Sequence, residues 1–481
     1  MVDQPKIVDK VFKINESNTS VRTEIVAGLT TFMAMSYIIA LNPNILTTYG
    51  LGGQPLWNGV FLATCISSAI AMFVMGLLAN RPFCLAPGMG LNSFMATVIL
   101  SLMGMTKMDY IQCFQAMLCI VLVEGIVFFL LSIFNIREKI VDAIPLGIRL
   151  GISPGIGLML LNIGFGSNVY IANDKNTQFF VMKDFFGSLT ANHARDIMTN
   201  AYSTMVLSVL TMFLGLFVIV ILAHKNVKAS VIIGMLAASI FYWAGDAIFL
   251  HNNPFASISK SSFLPAFGDM WDTTLFKFNF KGLAEMGWFT AITLIITFCI
   301  IDMFDTIGTL VGTASRAGMV DEEGKMTNMK EAFISDSVGT IVGACTGTST
   351  VTTFIESASG VEAGGRTGLT SLTCGFCFLI CIFLAPIAAV IPAAATSSAL
   401  IYVGILMMSG LTKVDFEDIS VSVPVTIMLI AMPVSGSIGH GIGLAMISCT
   451  LIKVFTGKIK EISILTYVIS IIFIIKFFLV Y

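Results

Sequence analysis

The sequence predicts an all-α polytopic membrane protein. Hydrophobic residues make up 56% of the 481 residues and charged residues only 11%, with a mean hydropathy of +0.91, whereas a soluble domain carries about 25% charged residues. Many apolar runs also approach the length of about 20 residues that crosses a bilayer. Two runs are interrupted by residues that cannot continue a helix, and such breaks are tolerated at membrane depth only against protein or a cavity.

Reading the apolar runs in order predicts about fourteen spans, with the second interruption as a further short half-span. The predicted spans are 24–46, 57–79, 89–105, 110–134, 143–165, 201–223, 227–249, 287–313, 332–346, 366–391, 394–410, 420–434, 436–454 and 462–480. Seven of them precede the polar segment 250–285. An odd number of spans in the first half places the second half in the opposite orientation in the membrane, which is the geometry of an inverted repeat.

The basic connections predict the orientation of the chain. Arg81, Lys225, Lys330 and Lys453 fall on the same side as the N-terminal lysines, and basic loops mark the cytoplasmic side. We therefore expect a multi-pass protein of the plasma (inner) membrane with a cytoplasmic N-terminus. The polar segments 166–200 and 250–285 then lie outside.

Several classes of function lack support in the composition. No basic run indicates nucleic acid, and no Gly-rich phosphate loop indicates ATP. Cys374, Cys377 and Cys381 lie close together but without a nearby histidine, so they are better interpreted as buried small hydrophobes than as zinc ligands. We expect no metal and no cofactor.

The first interruption is Phe83–Asn92. Pro87 and Gly88 stop one helix, and Asn92 lies where the next begins. Its amide offers a donor and an acceptor to a ligand. The alternative is that Asn92 caps its own half-helix.

The second interruption is Thr348–Gly360, whose β-branched residues predict a short extended segment. Residues two apart share a face of a strand, so Thr350, Thr352, Phe354 and Glu356 are expected to point the same way. Ser357 then opens a short helix with free N–H groups. Glu356 is a candidate ligand-binding carboxylate, and the alternative is that it caps this helix.

Further carboxylates lie inside predicted spans, where each costs roughly 2.5–3.5 kcal/mol on insertion scales. Asp302, Asp305 and Thr309 share one helical face. Asp305 is the stronger candidate for function, while Asp302 could equally bond to a neighbouring helix. Glu124 in the fourth span is as consistent with a structural bond as with function. Together these groups suit a planar heterocycle with N–H and C=O edges.

Several stretches resemble the nucleobase–cation symporter-2 family, and within it the azaguanine/adenine/guanine/hypoxanthine permease branch. The resemblance runs from about Val11 to the C-terminus. The stretches that carry it are Ala27–Phe32, Ala86–Asn92, Phe304–Thr309, Thr353–Ser357 and Gly364–Thr370.

The resemblance implies a fourteen-helix fold of two inverted seven-helix repeats, with a core domain and a gate domain. It also implies that the third and tenth spans are half-helices preceded by short paired strands, with the substrate between them. The expected division is a cytoplasmic segment at 1–20, core parts at 21–135 and 286–391, gate parts at 143–250 and 392–481, and an extracellular loop at 251–285.

By the same resemblance, Asp305 and Glu356 match the family's acidic positions in the eighth and tenth helices. Asn92 matches the amide of the purine branch, and Phe354 matches an aromatic residue beside the base. Thr309 stands where the uracil branch has a histidine, so Asp305 or Glu356 would have to carry a coupled proton.

The sequence thus predicts a secondary active transporter, and not an enzyme, that imports adenine, guanine or hypoxanthine by proton symport with an elevator-like movement. The expected substrate-binding residues are Asn92, Asp305, Phe354, Glu356 and Ser357, with Asp302, Thr309 and Glu124 as secondary candidates. Sodium coupling, an anion transporter of the same fold and, less favoured, an intramembrane enzyme stay open. So does a homodimer, which would leave no mark in the sequence.

Overall fold

A computed structural model describes residues 6–48, 50–134, 145–166, 169, 202–253, 255, 263–316, 319, 326, 328–435 and 438–479. The predicted outer segment 166–200 lies almost wholly outside the described residues.

The first half of the chain consists of helices interrupted by one short strand. Its elements are α1 (Lys6–Phe12), α2 (Val21–Met35), α3 (Ile38–Leu46), α4 (Gly53–Val74), a π-helical turn (Met75–Ala79), β1 (Leu85–Pro87), α5 (Met89–Met105), α6 (Tyr110–Ile133), α7 (Leu146–Gly164), α8 (Tyr202–His224) and α9 (Ser230–Phe249).

The second half repeats this pattern of helices around one short strand. Its elements are α10 (Phe267–Thr273), α11 (Phe280–Glu285), α12 (Trp288–Arg316), α13 (Met329–Thr346), β2 (Val351–Thr353), α14 (Ser357–Glu362), α15 (Gly368–Ile380), a 3₁₀ turn (Cys381–Leu384), α16 (Ala385–Ala389), α17 (Ala393–Met407), a 3₁₀ turn (Met408–Lys413), α18 (Ile419–Ser435), α19 (Ile438–Phe455), a 3₁₀ turn (Ile459–Glu461) and α20 (Ile464–Leu479).

The prediction of a helical polytopic membrane protein is confirmed. In the described part of the chain, nine helical segments are long and apolar enough to cross a membrane. Each predicted span coincides with a helix or an interrupted run of helices. Four shorter apolar helices lie at Met89–Met105, Trp288–Met303, Ile419–Ser435 and Ile464–Ile475.

The two predicted interruptions meet as a two-stranded antiparallel sheet. Leu85 pairs with Thr353, and Pro87 pairs with Val351. The pairing extends past the strand ends, where the Phe354 N–H donates to the Cys84 carbonyl at 2.9 Å. A two-stranded ribbon is marginal by itself, but both strands are fully buried, so the surrounding helices stabilise it.

The π-helical turn directs the chain from α4 into β1. It ends at Asn80, whose φ of 49° is left-handed, a conformation that asparagine tolerates better than most residues. Asn80 Oδ1 accepts a hydrogen bond from the N–H of Gly368 at 2.8 Å, and its Nδ2 donates to the Phe12 carbonyl at 3.0 Å. One side chain therefore ties the N-terminal segment and the start of α15 to the end of α4.

The segment 251–285, which the sequence predicts as an outer loop, contains two short helices. Both pack on the first half of the chain: α10 contacts α4, and α11 contacts α6. Asn58 donates to Asp269 Oδ2 at 2.6 Å, and Gln115 donates to the Thr273 carbonyl at 3.0 Å. This segment is thus held to the helix bundle by specific contacts.

Candidate functional site

A cavity that is partly open to solvent lies where the two interruptions meet. The start of α5, the end of β2 and the turn into α14 form one side, α12 contributes acidic and hydroxyl groups, and α7 and α17 complete the wall. The lining residues are Tyr37, Gly88, Met89, Gly90, Ser153, Asp305, Thr309, Thr352, Thr353, Phe354, Ile355, Glu356, Val403 and Met407.

The structure brings four of the sequence-predicted residues to this cavity: Asp305, Thr309, Phe354 and Glu356. Of the described lining residues, two are acidic and none is basic. Carboxylates accept hydrogen bonds, and hydroxyls both donate and accept them. The cavity therefore favours a ligand that presents N–H groups over an anion.

Glycine is required where the first interruption passes the second. A β-carbon at Gly88 would come within 2.7 Å of Thr352 Cγ2, and it would point toward Asp305 Oδ2. The Gly88 N–H donates to the Thr350 carbonyl at 3.0 Å. The close approach places the start of α5 beside the acidic group of α12.

Glu356 lies at the N-cap of α14, yet its side chain makes no capping hydrogen bond. Instead the Tyr37 hydroxyl donates to Glu356 Oε1 at 2.7 Å. The carboxylate therefore lines the cavity and does not cap the helix, while its binding of a ligand stays a prediction.

Asn92, Glu124 and Ser357 are predicted site residues that do not line the cavity. They hydrogen bond to residues of the two interruptions instead. Ser349 donates a hydrogen bond to Asn92 Oδ1, and Thr350 Oγ1 donates to Glu124 Oε2 at 2.9 Å. Ser357 Oγ accepts from the Cys84 N–H at 2.9 Å. The expectation that Thr350 shares the ligand-facing side with Phe354 is therefore not met, because its hydroxyl points to the fourth span.

Asp302 belongs to a buried polar cluster beside the cavity. Thr306 Oγ1 lies 3.3 Å from Asp302 Oδ1, 2.9 Å from Asp336 Oδ2 and 2.8 Å from Thr352 Oγ1. All four residues are at most 1% exposed. A hydroxyl has a single proton, so Thr306 donates to one carboxylate at a time. The cluster connects α12, α13 and β2.

Sequence reasoning missed Tyr37, Ser153 and Asp336. Tyr37 and Ser153 lie in apolar runs where a single tyrosine or serine carries no pattern, whereas Asp336 is a carboxylate inside the predicted span 332–346 and could have been found by the rule that singled out Asp302. Only the tertiary contacts reveal Tyr37 and Ser153. Within the residues that the structure describes, no group of three or more His, Cys, Asp or Glu side chains is arranged to hold a metal ion.

The chain is similar to known permeases over nearly its whole length. A family model described as a permease family, Xan_ur_permease, matches residues 22–223 and 179–445. The chain is 36% identical over 472 residues to the adenine permease AdeP of Escherichia coli, covering 98% of this chain and 96% of that one. It is 35% identical over 473 residues to the guanine/hypoxanthine permease PbuG of Bacillus subtilis, covering 97% and 98%.

Among solved structures, the fold is similar to the transmembrane domain of the cyanobacterial bicarbonate transporter BicA. The TM-score is 0.57 at 16% identity, with 88% of this chain and 96% of that chain covered. At this identity the likeness concerns the fold alone.

Proposed function

This chain belongs to the permease family that its motifs resemble, the nucleobase–cation symporter-2 family, and from that premise we propose that it imports a purine nucleobase by proton symport. Its relatives are named as transporters and not as enzymes. The names of those relatives favour adenine, guanine or hypoxanthine as the substrate. The observation that carries the proposal is the cavity that joins Asp305, Phe354 and Glu356 at the two interruptions.

The lining suits a flat nitrogenous ring. Phe354 offers an aromatic surface, and stacking on it holds a planar ligand by its face. Asp305 and Glu356 accept hydrogen bonds from ring N–H groups, while the hydroxyls of Ser153 and Thr309 serve ring nitrogens or a carbonyl. Because the described lining residues include acidic side chains and no basic ones, a neutral purine fits the cavity better than an anion does.

Proton coupling follows from the cost of moving charge through a membrane. An ionised carboxylate is expensive at bilayer depth, and a proton that neutralises Asp305 or Glu356 removes that cost. We assign the coupled proton to this pair. Asp302 is less suited because it lies in the buried cluster with Thr306 and Asp336.

The movement we propose is a displacement of a core domain, at 21–135 and 286–391, against a gate domain, at 143–250 and 392–481. The cavity lies between them: Ser153 and Met407 belong to the gate, and the acidic residues belong to the core. Sliding the core would carry the ligand from one side of the membrane to the other. We propose a location in the plasma membrane with the N-terminus in the cytoplasm, because the basic connections favour that orientation.

Uptake into vesicles tests the proposal. Radiolabelled adenine, guanine and hypoxanthine are offered with an imposed inward proton gradient, with sodium replaced by choline in a parallel series. We expect uptake of at least one base that needs the proton gradient and not sodium. Glu356→Gln and Asp305→Asn should abolish uptake, and Glu362→Gln, a half-exposed acid paired with Lys228, should not. Wild-type uptake by both cavity variants would refute the assignment, and uptake that needs sodium would refute proton symport.

A further inference from the structure

Tyr37 is a buried residue of the cavity wall, and its hydroxyl holds one of the two carboxylates that line the cavity. The side chain is 0% exposed, and its hydroxyl donates to Glu356 Oε1 at 2.7 Å across 319 positions of sequence. A phenol normally finds a hydrogen-bond partner when buried. Here that partner is a residue of the proposed binding site and not a backbone carbonyl.

The backbone around Tyr37 is itself held in place. Tyr37 lies at the junction of α2 and α3, with φ of −57° and ψ of −26°. The Ile39 N–H donates to the Ser36 carbonyl at 3.2 Å, a tightened i→i−3 turn, and the Leu41 N–H donates to the Tyr37 carbonyl at 3.0 Å. A rigid junction therefore fixes the donor that reaches Glu356.

This contact divides the two oxygens of Glu356 between two tasks. Oε1 is occupied by the phenol. Among the described residues, none donates a hydrogen bond to Oε2, and the carboxylate makes no capping bond to α14. Oε2 is thus the oxygen left for a ligand, and its direction is set by the bond to Oε1.

We propose that Tyr37 is a positioning residue that orients Glu356 so that Oε2 accepts a hydrogen bond from one ring N–H of the purine. The inference rests on the proposed function and adds to it the group that decides which edge of the base is recognised. Pre-organised partners improve recognition because less ordering is needed when the ligand binds. Tyr37 itself need not touch the ligand.

Equilibrium binding to the purified full-length protein tests this. The probes are radiolabelled adenine, guanine and hypoxanthine and, for the base that binds, its N-methylated analogues, each blocking one ring N–H. The variant is Tyr37→Phe, which removes only the donor. The matched control is Tyr110→Phe, since the Tyr110 hydroxyl is also buried but donates to the Leu46 carbonyl at 2.7 Å, away from the cavity.

In the wild type we expect one N-methylated analogue to bind much more weakly than the parent base. Tyr37→Phe should raise Kd for the parent by about tenfold to a hundredfold, the range for a hydrogen bond to a charged group, and should leave Kd for that analogue nearly unchanged. Discrimination between the two is then lost. Tyr110→Phe should keep both the affinity and the discrimination.

Two results would overturn the inference while the proposed function stands. In the first, Tyr37→Phe binds and discriminates like the wild type. In the second, Tyr37→Phe weakens the binding of the base and of every analogue equally, which is the result expected if only folding were affected. Failure of the wild type to bind any of the three bases overturns the proposed function itself, and the role of Tyr37 with it.

Discussion

The carboxylate of Glu24 accepts a hydrogen bond from the backbone N–H of Arg366 at 2.8 Å, although the two residues are 342 positions apart. Its other oxygen accepts from the Thr367 N–H at 3.2 Å and from Thr370 Oγ1 at 2.6 Å. Glu24 is 0% exposed. An acid of α2 thus satisfies the donors at the start of α15.

Replacing Glu24 by alanine should therefore destabilise the protein. The change leaves buried N–H donors without an acceptor, which costs about 3 kcal/mol. Unfolding in mixed micelles measures the loss, and Glu24→Gln, which keeps one acceptor, should lose less. Glu362→Ala, in a half-exposed ion pair with Lys228, serves as the control and should change stability by less than about 1 kcal/mol. Equal effects of Glu24→Ala and Glu362→Ala would contradict the assignment.

Asn92 and Ser349 should behave as one unit. They hydrogen bond across the two interruptions, and both are buried. Asn92→Ala and Ser349→Ala should each lower stability by about 1–3 kcal/mol, and the double variant should lose less than the sum. Since neither residue lines the cavity, uptake of different bases should fall by the same factor. Additive losses in the double-mutant cycle would show that Asn92 and Ser349 do not act as one unit. A changed preference among bases would show that Asn92 contacts the ligand.

Gly368 should tolerate no side chain. Its α-carbon lies against the backbone of Gly76, and a β-carbon would overlap the Gly76 carbonyl oxygen. Gly368→Ala must push α15 away from the end of α4, at a cost of about 3 kcal/mol. The control is Gly104→Ala in α5, where nothing lies within 4 Å of the added β-carbon. That change should be neutral or stabilising by about 0.5–1 kcal/mol. Thermal unfolding in detergent compares the two, and equal melting temperatures would contradict the close packing.

Asp418, in the connection before α18, should contribute stability that depends on pH. Hydrogen bonds from the Ser420 hydroxyl and N–H, together with Lys458 Nζ at 3.1 Å, lower its pKa to about 2. The folded state therefore favours the ionised form. Its contribution is present above the ordinary pKa near 3.8 and is lost as the pH falls toward 2.

Comparison of the melting temperatures of the wild type and Asp418→Asn between pH 5 and pH 2 measures this contribution. The variant should melt lower at pH 5, and the difference should shrink as the pH falls. A difference that stays constant over this range would argue against the ionised interaction.

The proposed sliding of the two domains can be arrested. A β-carbon at Gly90 of α5 would lie 2.6 Å from Ile156 Cγ2 of α7, so these positions face each other across the proposed boundary. Gly90→Cys with Ile156→Cys removes the bulk of the isoleucine and places two thiols side by side. A short thiol cross-linker should stop uptake while the base still binds, and the untreated double variant should transport. Unimpaired uptake by the cross-linked protein would exclude relative movement at this contact.

The spans could be predicted because lipid imposes a simple rule of length and polarity. The half-helix predicted at 89–105 agrees with the observed Met89–Met105, since Pro87 and Gly88 mark its start. The pairing of the two interruptions and the shared cavity of Asp305 and Glu356 followed from the family resemblance, and the structure places those residues together.

What sequence could not supply is the choice of partner for a buried polar group. In sequence, Asn92 and Glu124 cannot be distinguished from residues that line the cavity, because any polar side chain inside the membrane needs a hydrogen-bond partner. Their partners, Ser349 and Thr350, lie more than 200 positions away in the chain. Tyr37 is the opposite case. Nothing in its local sequence distinguishes it from other apolar-run residues, and only its contact with the distant Glu356 gives it a role.

The wide π-helical turn at Met75–Ala79 fixes the rotational phase of everything that follows it. Such a turn accommodates one residue more than regular α geometry would. Tightening this turn to regular α geometry while keeping every residue would therefore swing Asn80 by about 100° around the axis, which is the rotation of one residue. Its amide would then face away from Gly368 and Phe12, and β1 would arrive out of phase with β2. Substitutions that favour α over π hydrogen bonding at Met75–Ala79 would therefore weaken the contact between the two halves of the chain at Asn80 and Gly368.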